Sequence, residues 1–201
     1  MNMRPLLFAA LLTWAVTAHG ALDLSPFPSE FEGEGVKYTQ LSFKDDQRRV
    51  LYVPPQNWTW RGGSSQLRLS PPAIFTRADA IIETSPLATP QPLDEKAIAG
   101  LREQFMSTLP PGAQGVKMVS EEQSPVLLGG NIATCEFTAT YQILGETFLR
   151  STLFANLPET QLRFKVTGLK KDFDSLHRLF RASLISWQWV EKPVATVATR
   201  P

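Results

Sequence analysis

The stretch Ala133-Thr134-Cys135-Glu136-Phe137-Thr138-Ala139-Thr140-Tyr141-Gln142-Ile143 alternates apolar and polar residues almost strictly. A period of two places successive side chains on opposite faces of a strand, so the pattern predicts a long strand with one buried face. Cys135, Phe137, Ala139, Tyr141 and Ile143 fall on the face expected to be buried, and Glu136, Thr138 and Thr140 on the other. Gly129-Gly130-Asn131 forms the turn before this strand, and Leu144-Gly145-Glu146 turns into a second strand over 147–155. Asn156-Leu157-Pro158-Glu159 then leads into a third, where Leu162, Phe164 and Val166 alternate with Gln161, Arg163, Lys165 and Thr167. Three strands joined by tight turns read as an antiparallel meander.

Two short strands, 36–43 and 49–53, precede the meander, joined by the polar turn Lys44-Asp45-Asp46-Gln47 and ended by Pro54-Pro55. Asn57-Trp58-Thr59-Trp60 runs into Gly62-Gly63, after which 66–70 alternates again and stops at Pro71-Pro72. Further strands are expected at 78–84 and 116–124. Between them, Ala97, Ile98, Leu101, Phe105 and Leu109 recur at helical spacing from Leu93 to the stop at Pro110-Pro111-Gly112. A closing helix carries the stripe Phe173, Leu176, Phe180, Leu184 and Trp187, with Asp172 or Asp174 placed to cap it. Strands, a helix, a meander and a final helix with short connections make an α+β fold, a mostly antiparallel twisted sheet with both helices packed on it.

Of 201 residues, 43% are hydrophobic, enough for one ordinary domain with a real core. Twenty basic and nineteen acidic residues give a net charge of +1, which provides no long-range field for nucleic acid or an anionic membrane. A single cysteine excludes an internal disulfide and any cysteine-rich metal or cluster site. Arg4, the apolar run from Leu6 to Val16 and the small residues Ala18, Gly20 and Ala21 read as a signal peptide over 1–20, which predicts a periplasmic or secreted protein. That run is short for a bilayer span, and no later segment is apolar enough, so no integral membrane segment is expected after cleavage. Residues 21–35 read as a flexible linker, 36–189 as the domain and 190–201 as a disordered tail.

Val50-Leu51-Tyr52-Val53-Pro54-Pro55-Gln56-Asn57-Trp58, the helix opened by Leu93-Asp94-Glu95, the meander, and the terminal helix ending Ala182-Ser183-Leu184 together carry a resemblance. In order and pattern, residues 36–189 look like the PsbP-like fold family. It takes in the photosystem II extrinsic protein, the Ran-binding Mog protein and bacterial exported domains. The resemblance implies a binding or assembly factor and transfers no site residue by residue.

Candidate chemistry is sparse. A thiolate attacks well once an imidazole holds its proton, so Cys135 with His177 is the obvious pair, yet the strand turns Cys135 inward and no orienting group or oxyanion motif accompanies it. His177 is the one histidine besides His19, with Asp174 three residues before it. Asp45-Asp46 and Glu121-Glu122 supply oxygens that a hard cation uses but lack the spacing of a calcium loop. Gly62-Gly63 and Gly129-Gly130 lack the residues that make a phosphate loop. Asn57-Trp58-Thr59 matches a glycosylation acceptor that would stay idle in a bacterium. No catalytic residue, cofactor or metal is therefore assigned.

What remains is a monomeric, exported accessory domain that recognises a protein partner or envelope component. Its candidate contact surface is Glu136, Thr138, Arg163 and Lys165 on the polar face of the meander, with Trp60 and Trp189. On that reading, replacing Cys135 or His177 leaves function intact at a modest cost in stability. A small-ligand carrier using the tryptophans, and a metal-dependent hydrolase assembled only in three dimensions, are the alternatives.

Overall fold

The computed structural model describes residues 22–45 and 48–191. The expected signal peptide, Asp46 and most of the expected tail lie outside them. Eleven strands and two α-helices are described: β1 Asp23–Gly33, β2 Val36–Asp45, β3 Arg48–Tyr52, β4 Thr59–Gly63, β5 Gln66–Ser70, β6 Asp79–Pro86, α1 Glu95–Ser107, β7 Gln114–Gln123, β8 Thr134–Ile143, β9 Glu146–Asn156, β10 Thr160–Leu169, α2 Lys170–Ser183 and β11 Gln188–Glu191. They form a four-stranded sheet, β1-β2-β3-β11, and a seven-stranded sheet, β4-β5-β6-β10-β9-β8-β7, with every named pair antiparallel. The class is thus α+β, with the meander β8-β9-β10 at the heart of the larger sheet. Among the described residues no helix is long and apolar enough to cross a membrane.

The main core lies between the two sheets. Leu41, Phe43, Val50 and Tyr52 of the smaller sheet meet Leu67, Ile82, Leu153, Phe164 and Val166 of the larger one, and Phe173, Leu176 and Phe180 of α2 join them. A second, smaller core lies on the outer face of the seven-stranded sheet, where Ile98, Leu101 and Phe105 of α1 close over Cys135, Phe137, Ala139 and Phe154. Strand β8 is therefore buried on both faces from Thr134 to Ala139.

Several expectations are corrected. Residues 23–33, read as part of a flexible linker, form β1 and pair with β2 through Gly33↔Val36. The prolines and glutamates of this segment sit on an exposed arm, while Leu22 and Leu24 at its base are buried in the main core. Gly62 makes that approach possible, because a Cβ there would stand 2.9 Å from the Leu24 carbonyl oxygen and 2.7 Å from Pro26. Thr59–Gly63, read as an approach to a turn, is strand β4, and 188–191 is β11 rather than helix end and tail. Neither Asp172 nor Asp174 caps α2, whose N-cap is Leu169 with no side-chain hydrogen bond. On α1, Asp94 does accept from the Ala97 amide at 2.8 Å, the local reason the helix starts where it does.

Candidate functional site

The period of two that turns Cys135 outward toward α1 turns Glu136 inward toward α2. On α2, His177 and Arg181 are four residues apart and so share one flank, which faces this carboxylate. His177 Nε2 lies 2.6 Å from Glu136 Oε1, and Ser151 Oγ of β9 donates to the same oxygen. Arg181 Nη1 stands 3.3 Å from Oε2 as an ion pair without an aligned hydrogen bond. The second Arg181 amino group reaches Glu122 Oε2 at 3.0 Å and the Pro125 carbonyl at 3.3 Å. Phe173, one turn before His177, stacks on its ring at 5.4 Å and 12°.

Burial pushes the Glu136 carboxyl upward, but the hydrogen bonds from His177 and Ser151 and the charges of His177 and Arg181 outweigh it, so its pKa lies below the usual carboxylate value. An ionised carboxylate only accepts, so Ser151 Oγ–H and His177 Nε2–H both donate to Oε1. In a catalytic relay the imidazole would stand between hydroxyl and carboxylate. Here hydroxyl and imidazole are parallel donors to one oxygen, and neither activates the other. The cluster ties α2 to the meander.

Cys135 points to the other side of the same sheet and is fully buried. Burial, with Glu121 adding to it and Arg102 opposing, pushes its pKa up to about 11, which keeps the thiol protonated at neutral pH. Adjacent residues of one strand face opposite ways, so β8 itself separates Cys135 from the His177 site. The described members of the paired carboxylates are spent on arginines: Asp45 on Arg48 at 2.8 Å, Glu121 on Arg102 at 2.6 Å and Glu122 on Arg181. Among the described residues no three His, Cys, Asp or Glu side chains converge as a metal site.

The six residues expected to share a contact surface do not lie on one. Glu136 and Thr138 are buried on the inner face. Register places Arg163 opposite Phe154 and Lys165 opposite Thr152, which puts both on the outer face with Cys135 and Phe137. The polar residues of β8 and β10 are therefore on opposite sides of the sheet. Lys165 Nζ pairs with Glu83 at 2.6 Å, and that contact helps hold the Glu83 carboxyl below its usual range against the burial that raises it. Trp60 is partly buried against the main core, and Trp189 packs on Trp187 with ring centroids 6.2 Å apart, close over Gly129.

Two concave features were not legible in the sequence. A groove of about 520 Å³ runs along α1, between Gly100 and Leu101 on one side and the connector prolines Pro86, Pro90 and Pro92 on the other, with Gln161 at its edge. A cleft of about 300 Å³ is bounded by Tyr38, Asn57, Trp58 and Trp60. The run of prolines after β6 was the available signal for the first, since a connector that cannot join a ladder must stand off from the sheet. Compared with protein-family models and with curated proteins, the chain matches none.

Proposed function

We propose that this chain is an exported, non-catalytic binding domain of PsbP-like type that recognises a protein partner or envelope component. The observation that carries the reading is the use of its reactive groups: Glu136, His177 and Ser151 are spent on one another between α2 and the meander, and Cys135 is sealed on the far side. Open concave surface lies elsewhere, in the groove along α1 and in the cleft bounded by Tyr38, Asn57, Trp58 and Trp60. Pull-down from the native envelope on the immobilised protein, followed by calorimetry on the reconstituted pair, tests it. Wild type, Cys135→Ser and folded His177→Ala are expected to bind the same partner with the same affinity. Loss of binding in a folded His177→Ala protein overturns the reading.

The tryptophan cleft favours a second reading, a small-ligand carrier, because its volume reaches the lower end of ordinary ligand pockets and Tyr38, Trp58 and Trp60 are among its lining residues. Quenching of tryptophan fluorescence by periplasmic metabolites, abolished in Trp60→Leu, separates this reading from the first.

A further inference from the structure

On the outer face of the seven-stranded sheet, α1 covers β8 and β9 and leaves β10, β6, β5 and β4 without a helix. Register lines up Arg61, Arg68, Ile81 and Lys165 straight across these four strands. Arg61 and Arg68 are thus directly opposed on one face, an arrangement of like charges that destabilises a strand pair unless something of opposite sign bridges them. Arg68 has only Asp79 at 3.7 Å, half exposed, and Arg61 has no ion-pair partner among the described residues. In the next row Arg163 lies beside Glu83, whose carboxylate is already bonded to Lys165 and Gln66. Arg163 Nε is shut off from solvent with no acceptor. A buried donor left without a partner is uncommon enough to ask what satisfies it.

This cationic strip is continuous with the groove along α1. Ser85 and Gln161 of the groove are paired in register, two residues beyond the pair Glu83 and Arg163, so all four face the same way. Gln161 gives one donor to Asn156 Oδ1 at 3.2 Å, and none of its remaining capacity is taken up by a described hydrogen bond. At Gly100, a side chain would meet nothing within 4 Å, so the groove wall is open there.

We propose that this face binds an acidic, partly apolar segment of a partner polypeptide. Its carboxylates would lie on Arg61, Arg68 and Arg163, and one of its apolar side chains would fill the groove beside Gly100. The proposal rests on the binding-domain reading and names its surface. Guanidinium groups pair carboxylates in two-point contacts, and the apolar groove beside them has no role for a nucleic acid or an anionic polysaccharide. With a net charge of only +1, the chain has no general attraction for polyanions, so the surplus of cations here is local.

The test uses fluorescence anisotropy with a short fluorescein-labelled peptide of alternating glutamate and leucine. Its lysine-and-leucine counterpart, heparin, and phosphatidylglycerol vesicles are run beside it. Wild type is expected to bind the acidic peptide in a salt-sensitive way. Arg61→Ala with Arg68→Ala should weaken binding about tenfold or more, and Gly100→Trp, which fills the groove while improving on glycine in a helix, should weaken it several-fold. Unchanged binding in both variants, equal binding of the lysine peptide, or binding of heparin or the vesicles in place of the acidic peptide overturns the proposal. If the double arginine variant captures the native partner as well as wild type does, this surface is wrong and the binding-domain reading stands. If wild type captures no partner, that reading falls and this one with it.

Discussion

Glu136 is 3% exposed, and its charge survives burial because Ser151, His177 and Arg181 surround it. Hydrogen bonds to a charged group contribute about 1.5–3 kcal/mol, and a buried charge that loses a partner keeps its desolvation cost. His177→Ala is therefore expected to cost more than the modest amount that its place on a helix flank suggested, about 1.5–3 kcal/mol in urea unfolding. The pH dependence has a definite sign. The folded carboxyl lies below its ordinary value of 4.5, so its contribution is present above that pH and is lost as the pH falls through the lower, folded value. Stability curves of wild type and Glu136→Gln should thus be furthest apart at neutral pH and converge in acid. A constant gap would show that Glu136 is not ionised in the folded protein. Nothing in the alternation of 133–143 separates a threonine-rich solvent face from one that a helix covers with its own polar groups. That is why Glu136 and Thr138 read as surface.

Among the elements, the turn from β8 to β9 is built against local preference. Leu144 has φ +51° and Gly145 φ +79°, the left-handed pair of a two-residue hairpin in which asparagine followed by glycine is favoured. Leu144 is also 96% exposed, so it gains nothing from packing in return. Leu144→Asn is expected to stabilise the protein by about 0.5–1 kcal/mol, read as a higher melting temperature, with the meander register unchanged. A fall in melting temperature would mean that the side chain has a contact that the fold does not account for. The turn itself was legible, since glycine between two alternating runs marks it. Strand β1 was not: its prolines, glutamates and glycines have loop composition, and it is held in place by the long pairing with β2, by Leu24 in the main core and by the close approach that Gly62 permits. Strands β4 and β11 went unread for a related reason, being only five and four residues long and defined by their partners rather than by any period of their own.

For the molecule as a whole, Trp187 joins the two sheets. Its ring meets Phe43 and Tyr52 from the smaller sheet and Phe164 from the larger at centroid distances of 5.7, 5.6 and 5.2 Å. The sequence placed Trp187 on the last helical stripe, but the helix ends at Ser183 and a short 3-10 turn carries the chain inward. Trp187→Ala is expected to cost about 3–5 kcal/mol, and both sheets should still unfold in one transition because their facing side chains form a single core. Separate transitions for tryptophan fluorescence and far-UV dichroism would contradict that unity. The class and the meander followed from periodicity, which is local. The division into two sheets did not, because it depends on which distant strands meet.

The pairing of β11 with β3 also sets an order of events. Gln188 lies opposite Leu51, and the Val53 amide is bonded to Ser186 Oγ at 2.8 Å. On a ribosome adding about 5–20 residues each second, the strand at 48–52 emerges on the order of ten seconds before its last partner has been made. During that interval one edge of the smaller sheet is unpaired and the aromatic cage around Trp187 is empty. The smaller sheet cannot be completed until 188–191 have been made, and the growing chain stays open to whatever handles unfolded polypeptides until then.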